Sequence, residues 1–270
     1  VLGDEKTLFP DVVATLEAAE ANPDIKYEHC SGFKTNANLS NHLGRIYQSR
    51  FLTGIVAGRM TTANQIGYVA AFPIPEVVRG INAFTLGVRS VNPDATVHVE
   101  WVNSWYDPTA EGEKAEILLN AGADMMAQHQ DSTATVDKAK AHDAYAIGYD
   151  SDMLPFATET VLTSAIWNWG AYYVDRVNTL KAGTWSSQAY WGDLNDDIVD
   201  LGEYGAMVTQ AVKDEVAAKR TEIEAGDWDV FDGEIRKQDG SVWIATGSSM
   251  TDEDKLSMQA FVEGVVGEIP

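Results

Sequence analysis

The chain is poor in cysteine and in basic residues, and it has no long apolar run. Its one cysteine, Cys30, excludes an intramolecular disulfide. It lies in K-Y-E-H-C-S-G, a strand-like run that suits a buried thiol. A reactive thiolate needs an electropositive setting, which the surrounding residues do not supply. Lysine and arginine number 19 against 41 acidic residues, for a formal charge of −22. That imbalance argues against nucleic acid and anionic lipid surfaces as partners, and disfavours polyanionic ligands. No run approaches the ~20 apolar residues that span a bilayer. No leader pattern is visible at Val1, and a leader removed ahead of Val1 is compatible with that. Short catalytic signatures are missing too: there is no Walker loop, no G-x-G-x-x-G and no G-x-S-x-G. The five histidines (His29, His42, His98, His129, His142) lack metal-ligand spacing. No metal and no cofactor is expected.

What is present is a large apolar share, 45% of 270 residues, with eight tryptophans. That is enough for one large or two smaller domains. A helix is expected over 11–21, stopped by Asn22-Pro23, then a strand over 25–29, and a long helix over 41–60 with Gly54 and Gly58 allowing a close backbone approach. From Gln65 the pattern is regular. Strands are expected at 66–72, 97–101, 124–129, 144–149 and 161–166, alternating with helices at 76–90, 109–120, 133–141 and 170–181. Such alternation predicts a parallel sheet with helices on both faces. After Gly183 it gives way to two short strand-like pieces, a charged helix over 211–225, a hairpin around Asp239-Gly240, and a helix within 252–265.

In open α/β sheets, ligands lie outside the carboxyl ends of the strands. Those ends carry Phe72-Pro73, Trp105 with Asp107, Asp131-Ser132, Asp150-Ser151-Asp152 and Trp167-Asn168-Trp169, and Gly32 follows the first strand. An indole can stack on a planar ring, and carboxylates can accept from its N–H or hydroxyl groups. The plainer alternative makes Trp105 a loop aromatic folded onto the core and Asp107 a helix cap.

The runs G-Y-V-A-A-F-P-I-P-E-V-V-R-G-I-N-A-F-T-L-G, V-N-S-W-Y-D-P, G-A-D-M-M-A-Q-H, Y-A-I-G-Y-D-S-D and L-T-S-A-I-W-N-W-G, in that order, resemble the basic-membrane-protein (BMP) family of ABC-transporter substrate-binding proteins. The resemblance extends from about Lys26 to the end of the chain. It implies a type I periplasmic-binding fold: two doubly wound α/β lobes, a hinge, and a purine clamped between them. It also implies an extracytoplasmic protein, periplasmic or membrane-anchored as a lipoprotein, monomeric, serving a permease and binding no nucleic acid. By the same resemblance Trp105 is the stacking aromatic, and Asp131, Asp150 and Asp152 hold the ligand's polar edge. Ser132, Phe72, Trp167 and Gly32 complete the candidate ligand-binding set. Trp167 stands where many nucleoside-binding members have a lysine, which favours an adenine-like nucleobase over a nucleoside. The family's opening strand–helix–strand–helix half is not matched, so the first lobe is expected to be incomplete. Residues 1–62 and 184–270 are assigned to that lobe and the crossing segments, and 63–183 to the C-terminal lobe. An enzyme is not expected. The alternatives are a nucleoside-processing hydrolase using Asp150 and Asp152, or a receptor of this fold for another small solute.

Overall fold

The structure, a computed structural model, describes residues 10–270. After α1 (Pro10–Ala21) come β1 (Tyr27–Cys30), β2 (Leu39–Gly44) and the buried helix α2 (Ile46–Met60). Strand and helix then alternate: β3 (Gln65–Ala70), α3 (Pro75–Val91), β4 (Thr96–Trp101), α4 (Pro108–Asn120), β5 (Met125–Gln128), α5 (Ala134–Ala141), β6 (Tyr145–Asp150), β7 (Val161–Trp167) and α6 (Trp169–Ala182). The remainder holds β8 (Ala189–Gly192), β9 (Val199–Leu201), α7 (Gln210–Ala225), the hairpin β10 (Ile235–Arg236) and β11 (Val242–Ile244), α8 (Asp252–Leu256) and β12 (Val265–Val266). Residues 1–9, read from the sequence as a loop, lie outside the described residues.

The described chain divides into two units, one of residues 10–45 and 168–199, the other of 46–167 and 200–270. This differs from the expected 1–62, 63–183 and 184–270. Helix α2 packs on α3, with Gly54 and Gly87 letting the backbones meet: a Cβ on Gly54 would stand 2.2 Å from Phe84 O, and one on Gly87 2.0 Å from Phe51 O. That packing carries residues 46–60 into the larger unit. Strands β9 and β12, at the two edges of its sheet, bring most of the tail with them.

In the smaller unit the described strands run β1-β2-β8, all parallel. Residues 39–44 are strand, so 41–44 are not the first turn of a helix as expected. Their polarity does not alternate because β2 lies between two neighbours and is almost wholly buried, the condition that erases period-2 patterning. Ser40 and His42 are paid into this interior by contacts: Ser40 Oγ accepts from Arg176, and His42 stacks on Tyr172 at 4.4 Å. Arg176 Nε donates to Glu28 at 2.6 Å, and Glu28 also accepts from Tyr172 and Trp185. Cys30 is half-buried.

The larger unit holds a seven-stranded sheet in the order β12-β4-β3-β5-β6-β7-β9. Pairing from β12 to β7 is parallel throughout. Strand β3 therefore has β4 on one side and β5 on the other. At such a reversal of strand order a crevice opens beyond the carboxyl ends. The expected helix within 252–265 is only the short α8, because the chain leaves it to add β12 beside β4.

Candidate functional site

Five strand ends of the larger unit deliver the aromatic and acidic residues. Beyond β4 the ladder continues for two residues, Val102 N–H and Asn103 N–H donating to Ala70 O and Ala71 O at 2.8 Å each. Asn103 then takes φ +59°, a left-handed turn that asparagine tolerates, and the chain turns into Trp105. Trp105 is 39% exposed. Its ring centroid lies 5.4 Å from Phe72, at the end of β3, and 6.1 Å from His129, at the end of β5. His129 is buried and lies 4.4 Å from the Tyr149 ring, and Tyr149 Oη accepts from Trp167 Nε1 at 3.2 Å. Phe72, Trp105, His129, Tyr149 and Trp167 thus form a connected run of rings along the carboxyl rim.

Two carboxyls accompany these rings. Asp131 is exposed, and its N–H donates to Trp105 O at 3.1 Å. Partial desolvation of its carboxyl, despite the residue's exposed edge, then the charges of Asp150, Glu111 and Glu76, push its pKa up to about 6. Asp150 ends β6 at φ +70°, and burial raises its carboxyl above the ordinary range. The Asp150 charge is among the causes that raise Asp131.

The other residues singled out from the sequence fall elsewhere. Ser132 is buried behind Asp131 and its hydroxyl donates to Glu111 Oε2. Asp152 Oδ1 accepts from Leu154 N–H at 3.1 Å, and the same oxygen is what a Cβ on Gly202 would meet. Gly32 belongs to the smaller unit, against the His29 ring. Asp107 is a helix cap, accepting from Ala110 N–H at 3.0 Å.

Beneath the rim lies a buried polar layer that sequence reasoning missed. Arg50 is fully buried on α2; its Nη1 donates to Gln128 O at 2.7 Å and its guanidinium lies 4.1 Å from the Tyr149 ring centre. His129 Nε2 stands 3.2 Å from Glu76 Oε2. Burial would raise the Glu76 carboxyl, but His129, Arg79 and Arg50 together hold it low; burial in turn lowers His129, against the raising effect of Glu76. Among the described residues Arg50 Nε and Nη2, Tyr68 Oη, Glu76 Oε1 and Gln128 Oε1 are buried without a hydrogen-bond partner. The available signal was an arginine in the middle of an otherwise buried helix. Among the described residues no group of three or more His, Cys, Asp and Glu is placed to hold a metal ion. No helix among them is long and apolar enough to cross a membrane.

A parallel sheet with this strand order, in a chain that passes between two α/β units three times (at 45/46, 167/168 and 199/200), defines a protein of the type I periplasmic-binding class. Solved structures agree on the fold. A solute-binding protein of an ABC transporter system from Aeropyrum pernix K1 matches 92% of this chain and 80% of its own, at 15% identity and TM-score 0.70. A transcriptional activator of the comK gene from Bacillus halodurans matches 79% and 76%, at 24% identity and TM-score 0.71. The family described as "ABC transporter substrate-binding protein PnrA-like" matches residues 7–229, and the chain belongs to that family. A purine-binding protein of Brucella abortus is 40% identical over 98% of this chain and 75% of its own length. A protein of Haloferax volcanii named for ABC-transporter glucose binding is 42% identical over 93% of this chain and 62% of its own length. Proteins of this family are extracytoplasmic: they bind a small solute and deliver it to a membrane permease.

Proposed function

We propose that this chain is the solute receptor of an ABC importer and that its solute is a purine, a free base of the adenine type in preference to a nucleoside. The observation that carries the reading is the rim itself. Trp105, half-exposed and accepting at its backbone carbonyl from Asp131 N–H, shares one edge of one sheet with the carboxyls of Asp131 and Asp150. Trp105 stacks on the flat face, and Asp131 and Asp150 accept from the ring N–H and amino groups at its edge. Stacking and charged hydrogen bonds contribute on the order of 1–3 kcal/mol each, which suits micromolar binding. The Brucella relative's name supports this ligand class. Trp167, joined to Tyr149 rather than free to reach a sugar, supports the base. The location is extracytoplasmic, periplasmic or anchored, and the partner is the permease.

The Haloferax relative supports a second reading, a sugar, whose hydroxyls also donate to carboxylates and whose face also packs on indole. A nucleoside hydrolase working through Asp150 and Asp152 finds less support, since Asp152 Oδ1 accepts from Leu154 N–H and is what a Cβ on Gly202 would meet. Calorimetry against adenine, guanine, adenosine, inosine and glucose separates these readings. Heat from adenine, with flat traces for glucose, is the expected result. Flat traces for all four purines would overturn it. Trp105→Ala is expected to weaken adenine binding about tenfold or more, ~1.4 kcal/mol. Unchanged affinity would remove Trp105 from the site.

A further inference from the structure

The aromatic and acidic sides of the rim are tied from behind by one buried carboxylate. Glu111, on the first turn of α4, is 0% exposed. Its Oε1 accepts from Asp107 N–H at 2.8 Å, and its Oε2 accepts from the Ser132 hydroxyl. One side chain therefore grips two loops: the loop after β4, two residues past Trp105, and the loop after β5, one residue past Asp131. The bond from Asp131 N–H to Trp105 O closes the circuit at 3.1 Å. Gln128 Nε2 holds the other side of Asp131, donating to Gln130 O at 3.0 Å and to Ser132 O at 2.7 Å.

The helix does not need all of this. Asp107 already caps α4 through Ala110, and Pro108 has no N–H to satisfy. An acid reaching back to the cap residue's N–H is an ordinary device. Burying that acid completely and spending its second oxygen on a different loop is not explained by capping, because a buried carboxylate is costly unless every bond it makes is kept.

We propose that Glu111 is a positioning residue for the solute site: it sets the spacing between the Trp105 ring and the Asp131 carboxyl, so that a flat solute stacked on the indole presents its edge to the acid. The assignment rests on the reading of the rim given above. Glu111 also adds its charge to the field at Asp131.

The test compares Glu111→Ala, Glu111→Gln and Ser132→Ala, with Glu113→Gln, an exposed acid on the same helix, as control. Three quantities are measured: adenine affinity by calorimetry, the Trp105 indole N–H signal in ¹⁵N-labelled protein (assigned with Trp105→Phe), and the Asp131 carboxyl titration by ¹³C NMR. Glu111→Ala and Ser132→Ala are expected to shift the indole signal and weaken adenine about tenfold, with circular dichroism still reporting folded protein. Glu111→Gln, whose amide oxygen can still accept from Asp107 N–H and whose Nε2 can donate to the Ser132 hydroxyl in reversed sense, is expected to leave the indole signal in place while the Asp131 titration moves to lower pH. Glu113→Gln is expected to change none of the three. An unmoved indole signal in both Glu111→Ala and Ser132→Ala overturns the assignment. Should Glu111→Ala not fold, Ser132→Ala decides alone. Should adenine not bind the unmodified protein, the purine reading falls, and the two NMR readouts still decide whether Glu111 sets this geometry.

Discussion

At the residue scale, Asp131 carries a consequence for stability. Its carboxyl titrates at about 6 in the folded protein, above the ordinary carboxylate value. Between that ordinary value and about 6 the folded state holds more protons than the unfolded one. The stabilising contribution is therefore complete at acid pH and is lost as pH rises through 6. Asp131→Asn is expected to raise the melting temperature at pH 8 by a few degrees, roughly 1 kcal/mol once the exposure of the side chain is allowed for. The gain should vanish below about pH 4. An equal gain at both pH values would refute charge as its cause. The strand-end positions of Trp105, Asp131 and Asp150 were legible from the sequence because each follows an apolar run. Where Ser132 and Asp152 turn was not. A hydroxyl follows the nearest strong acceptor, here Glu111, and a carboxylate the nearest free N–H, here Leu154.

At the scale of elements, the pair α2 and α3 holds the larger unit's framework behind the rim. Gly54→Ala would place a methyl 2.2 Å from Phe84 O, which is backbone and cannot move aside cheaply. A loss of about 1–3 kcal/mol or more is expected, read as a lower urea midpoint. Gly170→Ala, on the first turn of α6 with a clear neighbourhood, should instead stabilise by up to ~1 kcal/mol. If the two substitutions behave alike, close helix packing is not what Gly54 provides. The sequence announced the approach through the four-residue spacing of Gly54 and Gly58. It misassigned 41–44, since a strand with protein on both faces shows no alternation to read. It also passed over Arg50 and Glu76, whose burial among His129, Tyr149 and Gln128 arises only when α2, α3 and the strand ends converge.

At the scale of the whole molecule, 41 acids against 19 bases make self-repulsion the dominant long-range force on the folded chain. Salt shortens the reach of that repulsion from ~10 Å at 0.1 M to ~3 Å at 1 M. Raising sodium chloride from 0.05 to about 1 M is accordingly expected to lift the melting temperature by several degrees, as scanning calorimetry would show. A flat or falling response would mean that exposed ion pairs such as Arg59–Glu215 outweigh the net charge.

The sequence by itself determined the β-α alternation, the parallel larger sheet and the family, because these rest on local periodicity and on runs of residues in fixed order. Tertiary structure alone decided how the chain is shared between two units, which strand-end residues meet at one rim, and which buried groups stand behind them. Those depend on contacts between residues far apart in the chain, as when Glu111 reaches Ser132 and Arg50 reaches Gln128, and no local pattern encodes such a distance.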